Sequence, residues 1–369
     1  MKNLNLLLTP FILSSCCFSQ EPTHNKRPVI NAMSTWSEYR VGDEWYKGQW
    51  RISPHIEHDT LKIVSYGSKE SFEFKTDIDK IEFELKPNSS VDFYVKFHEN
   101  AYAHTIIQYL DFKSDQLTFK NSRNTDLNTK YQTEKSDYLE KLKASYPLDF
   151  IDGKMNDTEV ALQVLNWTHN QWEHDSMNSP SNPDALTILN EVNEGQRFPC
   201  FAYGIVIMDQ LNALGYRART IYLKTKDAEN RKTSPGHVAT EVYLEDLKKW
   251  VFVDGQFNVM PTLNGIPLNA VEFQDAITNN YDAFVLQSLS NNTVSKKKYV
   301  DFVYDYLYYF DTSLDNRYAP ETIHLVNGKR SMMLVPKGAE NLTYVGMWDL
   351  DMSYCFYTNS VADFYARPY

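Results

Sequence analysis

Residues 199–215 read PCFAYGIVIMDQLNALG, and this stretch decides how the rest of the chain is read. Phe201, Ile205, Met208, Leu211 and Leu214 recur at helical spacing, and Gly215 is a natural stop. The spacing predicts a helix over 200–215 that opens on Cys200. Pro199 suits the first helical turn because it has no N–H to leave unpaired. The first N–H groups of such a helix lack intrahelical acceptors, and the helix dipole is positive there. Both effects favour thiolate over thiol, and the thiolate is the nucleophile. The same N–H groups can bind the oxyanion of a tetrahedral intermediate.

Three strand-like stretches follow: Ala218 to Lys224, His237 to Leu244 and Trp250 to Asp254. A charged loop over 225–236 separates the first two and contains Ser234-Pro235-Gly236. Suppose the last two strands pair antiparallel about a turn at Glu245-Asp246, with residue 243 facing 248. His237 then faces Asp254 directly. Directly opposed Cβ atoms lie about 5 Å apart, close enough for a carboxylate to hold an imidazole. A slip of one residue would turn one of the pair to the other face. In this arrangement Cys200, His237 and Asp254 supply the nucleophile, base and orienting group of covalent acyl transfer.

Upstream, Tyr138, Leu139 and Leu142 fit a helix ending before Pro147. Val160, Leu162, Val164, Leu165 and Trp167 fit a second, with Asn156 or Asp157 as N-cap and Glu159 in its first turn. Ser179-Pro180-Ser181-Asn182-Pro183 reads as a loop and Ala185 to Glu191 as a short helix. From Trp50 to about residue 120 the period changes to two. Phe72-Glu73-Phe74, Ile81 to Leu85, and Val91, Phe93, Val95 and Phe97 alternate, with Pro87-Asn88-Ser89-Ser90 as a turn. Short alternating strands with regular turns predict a β-sandwich over 21–125. Beyond residue 260 a helix is expected near 270–279. The even positions from Val300 to Phe310 are all apolar or aromatic, which predicts a strand. Ile323 to Val326, Asn327-Gly328 and Met332 to Val335 predict a hairpin. The expected organisation is a leader over 1–20, the β-sandwich over 21–125, a core domain over 130–290 and a C-terminal β region over 295–369.

Composition narrows the function. The 369 residues are 42% hydrophobic and 23% charged, so the chain can bury a core and is not disordered. Asp and Glu number 48 against 37 Lys and Arg, a formal charge of −11 that argues against nucleic acid as partner. Four cysteines are too few for a disulfide framework. Residues 1–20 read MKNLNLLLTPFILSSCCFSQ. The apolar run from Leu6 to Leu13 is too short to span a membrane and reads as a secretory leader. Leu13-Ser14-Ser15-Cys16 resembles the lipobox of bacterial lipoproteins, in which the cysteine is lipidated and becomes the mature N-terminus. Ordinary cleavage nearby is the alternative. Lipid on Cys16 implies anchoring to a membrane of the cell envelope, facing the periplasm or the outside. Cys17, Cys200 and Cys355 then remain, an odd number that implies at least one free thiol.

The segment 194–254 resembles the transglutaminase-like superfamily, which shares a papain-like core. The residues that carry the resemblance begin with Glu194-Gly195-Gln196-Arg197-Phe198-Pro199-Cys200-Phe201-Ala202 and Leu214-Gly215-Tyr216-Arg217-Ala218-Arg219. Gly236-His237-Val238-Ala239-Thr240-Glu241-Val242-Tyr243 and Lys249-Trp250-Val251-Phe252-Val253-Asp254 complete the set. Asn166-Trp167 through Trp172-Glu173-His174-Asp175 is similar to the family's lead-in helix. The resemblance covers roughly residues 155–260. Phe198, Ala239 and Gly255 stand where the family often has glycine, an aromatic and proline. The resemblance implies an α+β fold in which the Cys helix packs on an antiparallel sheet. It implies Cys200, His237 and Asp254 as catalytic residues and thioester chemistry on peptide or protein amides, by hydrolysis or by transfer to an amine. It implies no cofactor.

Trp172, or Gln171 beside it, is a candidate second oxyanion donor, since an indole N–H only donates. His55 and His58 lack a third ligand at recognisable spacing, and His169 and His174 do not share a helix face, so no metal is expected. There is no phosphate-binding glycine loop. Lys296 to Lys298 read as a solvated loop. Tyr304, Tyr306, Tyr308 and Tyr309 either pack or line a sugar groove. The competing function is a non-catalytic envelope protein that binds glycan or peptide on the N-terminal β domain and keeps the core as a scaffold.

Overall fold

The computed structural model describes residues 23–368, without 68, 98–100, 124–127, 133–135, 292–293 and the side chain of Gln49. The leader, Cys16 and Cys17 therefore lie outside the described residues. The chain divides into two compact units, one ending at Lys113 and the other beginning at Ser114.

The first unit pairs two sheets. One has the order Thr23–His24, Arg27–Asn31, Ser89–Lys96, Tyr102–Asp111, Asp59–Ser65; the other Glu44–Arg51, Trp36–Val41, Glu70–Thr76, Lys80–Leu85. Val41, Phe72, Phe74 and Leu85 from one sheet bury into a single cluster with Ile63, Phe93, Val95 and Ile107 from the other. Alternation puts these side chains on one face of each sheet, and each contributes about 1.5–3 kcal/mol on burial. The two sheets and their shared core make this first unit, which ends at Lys113, a β-sandwich.

The second unit contains helices α1 (Asp137–Ser145), α2 (Asp157–His169), α3 (Ala185–Asn193), α4 (Cys200–Ala213), α5 (Ala270–Asn279) and α6 (Lys296–Val303). A reciprocal capping box between Asn156 and Glu159 starts α2. The main sheet has six strands in the order Lys249–Val253, Gly236–Leu244, Arg217–Lys224, Tyr309–Ser313, Ser331–Leu334, Cys355–Thr358. Every pair is antiparallel except the last. The stretch 295–369 thus supplies three strands to the same sheet as the core.

The alternation within the strands sorts the helices. Ala218, Val242, Val251 and Val253 pack against Val164 of α2 and Ile207 and Leu211 of α4. Thr240 Oγ1 donates to the Gly204 carbonyl of α4 at 3.0 Å. The other face carries Phe252 against Phe273 of α5, with ring centroids 5.8 Å apart. It also holds a buried ion pair: Arg219 Nη2 donates to Glu241 Oε2 at 2.7 Å, with the guanidinium 4.3 Å over the Trp250 ring. Glu241 Oε1 accepts from the Ala270 N–H and the Tyr365 hydroxyl, both at 3.0 Å. Both Glu241 oxygens accept, and Arg219 donates twice to Glu241 and once, from Nη1, to the Phe364 carbonyl at 2.9 Å, which offsets the cost of burying the pair.

Two expectations are corrected here. The stretch 300–310 is not a strand. Helix α6 covers Lys296–Val303, a 3₁₀ turn covers Tyr304–Tyr306, and the strand begins at Tyr309. The Ser295 side chain caps α6 by accepting from the Lys298 N–H, and Tyr299, Val300 and Val303 form its buried face. The even-numbered aromatics coincide with a two-residue period without making one. The hairpin at Asn327-Gly328 is present only as a turn. Both residues have positive φ, 52° and 73°, and the flanking bridge is Val326 with Lys329. The edges of Ser331–Leu334 are taken by Tyr309–Ser313 and Cys355–Thr358, so Ile323 and Leu325 stay exposed.

Candidate active site

Cys200 is the first residue of α4, behind Pro199 at the N-cap in an extended conformation. The Ala202 N–H closes back onto the Pro199 carbonyl at 3.0 Å. By helix geometry the N–H groups of Cys200 and Phe201 have no acceptor within the helix. Cys200 opens onto a cavity of about 820 Å³, whose lining includes His237, Tyr222, Lys224, Phe302 and Trp348.

His237 Nε2 donates to Asp254 Oδ2 at 2.7 Å. The pair is almost fully enclosed, with side-chain exposures of 2% and 0%. Phe302 meets the imidazole edge to face at 5.1 Å, and Tyr306 and Phe257 complete an aromatic cage at 6.0 and 6.4 Å. Burial alone pushes the imidazole toward its neutral form. The Asp254 charge and hydrogen bond, together with the Cys200 thiol, overcome it and raise the His237 pKa to about 10. With Nε2 committed to Asp254, Nδ1 is the nitrogen left for Cys200.

Asp254 ends its strand in a tight turn, exchanging backbone hydrogen bonds with Val259 at 2.9 and 3.2 Å. Its Oδ1 accepts from the Gln256 N–H at 3.0 Å, and its Oδ2 also accepts from the Tyr299 hydroxyl at 2.8 Å. Tyr299 is fully buried, and burial beside this carboxylate pushes its pKa well up, so it remains a donor. Gly255 follows because the backbone passes α4 too closely for a side chain. A Cβ there would lie 2.7 Å from both Tyr203 Cβ and Ile207 Cδ1.

The strand register differs from expectation by two residues. Tyr243 pairs with Trp250, and Leu244 with Lys249, so the turn is Glu245 to Lys248, with Lys248 at φ 52°. A two-residue shift preserves the face, and His237 and Asp254 still meet.

Trp172 is corrected as an oxyanion donor. Its one N–H donates to the Phe198 carbonyl at 3.1 Å, inside the fold. The Tyr203 hydroxyl donates to the Trp172 carbonyl at 2.9 Å, and the two rings stack at 4.1 Å, so Trp172 braces the approach to Cys200. Gln171 Nε2 donates to the Trp167 carbonyl at 2.8 Å. Gln171 lines a neighbouring polar cavity of about 650 Å³, and His174 and Gln256 line both cavities. Burial and the nearby His237 lower the His174 pKa. His169 Nδ1 pairs with the Gly255 carbonyl at 3.0 Å. Among the described residues no three His, Cys, Asp or Glu side chains converge as a metal site.

Sequence reasoning missed Tyr299, Phe302 and Trp348, and it gave Tyr306 a packing or sugar-groove role rather than a place beside His237. Tyr299, Phe302, Val303 and Tyr306 recur at helical spacing after the Ser295 cap, a signal that was available. Nothing local to residues 344–351 points at the site.

A family model described as the transglutaminase-like superfamily matches residues 144–255, a span that includes Cys200, His237 and Asp254. No curated protein matches. Among solved structures, one described as "a Putative Cysteine Protease from Cytophaga hutchinsonii" matches at 20% identity and a TM-score of 0.28. The match covers 42% of this chain and 50% of that one, so the chain spans about half its length. A likeness at this level adds nothing to the argument from the site. Over residues 144–255 the chain is thus similar to the transglutaminase-like superfamily.

Proposed function

We propose that the protein is an exported lipoprotein, anchored through Cys16 to the cell envelope, whose core performs thioester acyl transfer on peptide or protein amides. The observation that carries the chemistry is the His237–Asp254 hydrogen bond of 2.7 Å, enclosed by aromatic rings beside the cavity that holds Cys200.

Cys200 Sγ gives its proton to His237 Nδ1 and attacks the amide carbonyl carbon. The oxyanion forms against the N–H groups at the start of α4. The C–N bond then breaks, the amine leaves with the proton from His237, and an acyl thioester remains on Cys200. Water attacks the thioester in hydrolysis and an amine in transfer; in both, His237 takes the attacking group's proton and returns it to the thiolate. Asp254 holds the ring orientation and stabilises the imidazolium. Acid quench during turnover of a peptide amide tests this reading. A mass increase equal to the acyl group on Cys200, released by hydroxylamine and absent in Cys200→Ala, is the expected result; a Cys200→Ser protein with full amidase activity would overturn it.

A further inference from the structure

The cavity beside Cys200 is largely apolar along its sides, and its cations are the His237 imidazolium, held by Asp254, and the Lys224 ammonium. Ile205 of α4, Val238 and the Trp348 ring are among its walls, and Lys224 lines it on the strand face opposite Gly236. No aspartate or glutamate among the described residues lines it. Gly236 is what lets the indole reach the strand next to His237. A Cβ there would lie 2.8 Å from Trp348 Cη2 and 2.8 Å from the Leu223 carbonyl oxygen. Met347 and Trp348 line the cavity and are 52% and 46% exposed.

Lys224 is 4% exposed, and its Nζ donates to Asp311 Oδ2 at 3.2 Å. Asp311 accepts one of the three ammonium N–H groups, and Cys355 Sγ approaches the same oxygen at 3.8 Å. Asp311 is not among the residues that line the cavity, so it fixes the ammonium and offsets its burial from behind the wall that Lys224 belongs to.

We propose that this cavity binds a substrate residue with an apolar body and a carboxylate tip, and that Lys224 reads the carboxylate. This deepens the acyl-transfer reading and rests on it. The carboxylate is either an acidic side chain or the end of a peptide.

The test is protection of Cys200 from iodoacetamide in the full mature protein, read by mass spectrometry at that cysteine. Two pairs of ligands are compared. Acetyl-Leu-Glu N-methylamide is set against its Gln counterpart for a side-chain carboxylate. Acetyl-Leu-Leu acid is set against its primary amide for a terminal one. Each rate is referred to the same protein without ligand. In at least one pair the acid should protect at a concentration about tenfold lower than its amide, as a charge-assisted hydrogen bond gives. The pair that shows the difference identifies the source of the carboxylate. The preference should vanish in Lys224→Met/Asp311→Asn, which removes both charges together and leaves no unpaired one. Equal protection by acid and amide in both pairs overturns the proposal using the wild-type protein alone. A preference that survives the double variant also overturns it. Absence of an acyl-enzyme would count against the catalytic reading and leave these binding outcomes intact.

Discussion

Asp254 and His237 meet on a diagonal. Continuing the observed register puts Ala239, not His237, opposite Asp254, yet Nε2 and Oδ2 are 2.7 Å apart. A diagonal neighbour on an antiparallel pair shares the face of the direct partner, so long side chains reach it. Asp254 adds to this by leaving the strand in the turn to Val259, which frees its carboxylate to accept from His237, Tyr299 and the Gln256 N–H.

The carboxylate is therefore expected to matter more than its shape. Asp254→Asn keeps the volume and loses the charge that raises the His237 pKa. Labelling of Cys200 by a thiol-directed electrophile at pH 6 should fall by about 10²-fold, in the range for a positioned acid–base group. Circular dichroism should show the fold retained.

Tyr299→Phe removes one hydroxyl from the buried carboxylate and leaves the ring in place. Urea unfolding should show a loss of about 1–3 kcal/mol, the cost of an unsatisfied charged acceptor. Labelling at pH 6 should drop severalfold, because Asp254 loses one of its three fixed donors. Unchanged stability would mean the hydroxyl is not bound as described.

The histidine also links stability to pH. Its pKa rises from 6.5 to about 10 on folding, so the folded state favours the protonated ring. Its contribution is fully present below pH 6.5 and is lost as pH rises toward 10. Wild-type unfolding free energy minus that of His237→Gln should decline across this window. A difference that grows with pH would contradict the sign.

Arg219 serves the architecture. Arg219→Met strands Glu241 without its cation in a fully buried position, and unfolding should show a loss of about 3–5 kcal/mol. Arg219→Lys should recover only part of it, since an ammonium cannot reproduce the two N–H contacts or the stacking on Trp250.

Legibility followed the range of the interactions. The start of α4, the start of α2 and the face shared by His237 and Asp254 rest on neighbours in sequence or on strand parity, and all three could be read, though the choice of Asn156 over Asp157 as the α2 cap came from the structure. The exact register could not, because one turn residue with positive φ, Lys248, moves the pairing by two without changing the pattern. Helix α6 was misread because alternate aromatics at 302, 304 and 306 mimic a strand while the buried face is Tyr299, Val300 and Val303. Trp348 against Gly236 and Lys224 with Asp311 join residues roughly a hundred positions apart, and no local pattern records such contacts.

Anchoring is tested separately. Cys16→Ser should move the protein from the membrane fraction to the soluble fraction of the envelope and prevent incorporation of labelled fatty acid. Retention in the membrane without fatty acid would point to another tether.

The most direct measurement is the pH profile of Cys200 labelling, from pH 5 to 9, with an amide-mimicking electrophile and with Cys200→Ala and His237→Ala as controls. The account predicts labelling at Cys200 that persists below pH 7 and is lost without His237, the signature of a thiolate–imidazolium pair. Labelling that appears only near the free-thiol pKa of about 8.5 and ignores His237 would contradict it.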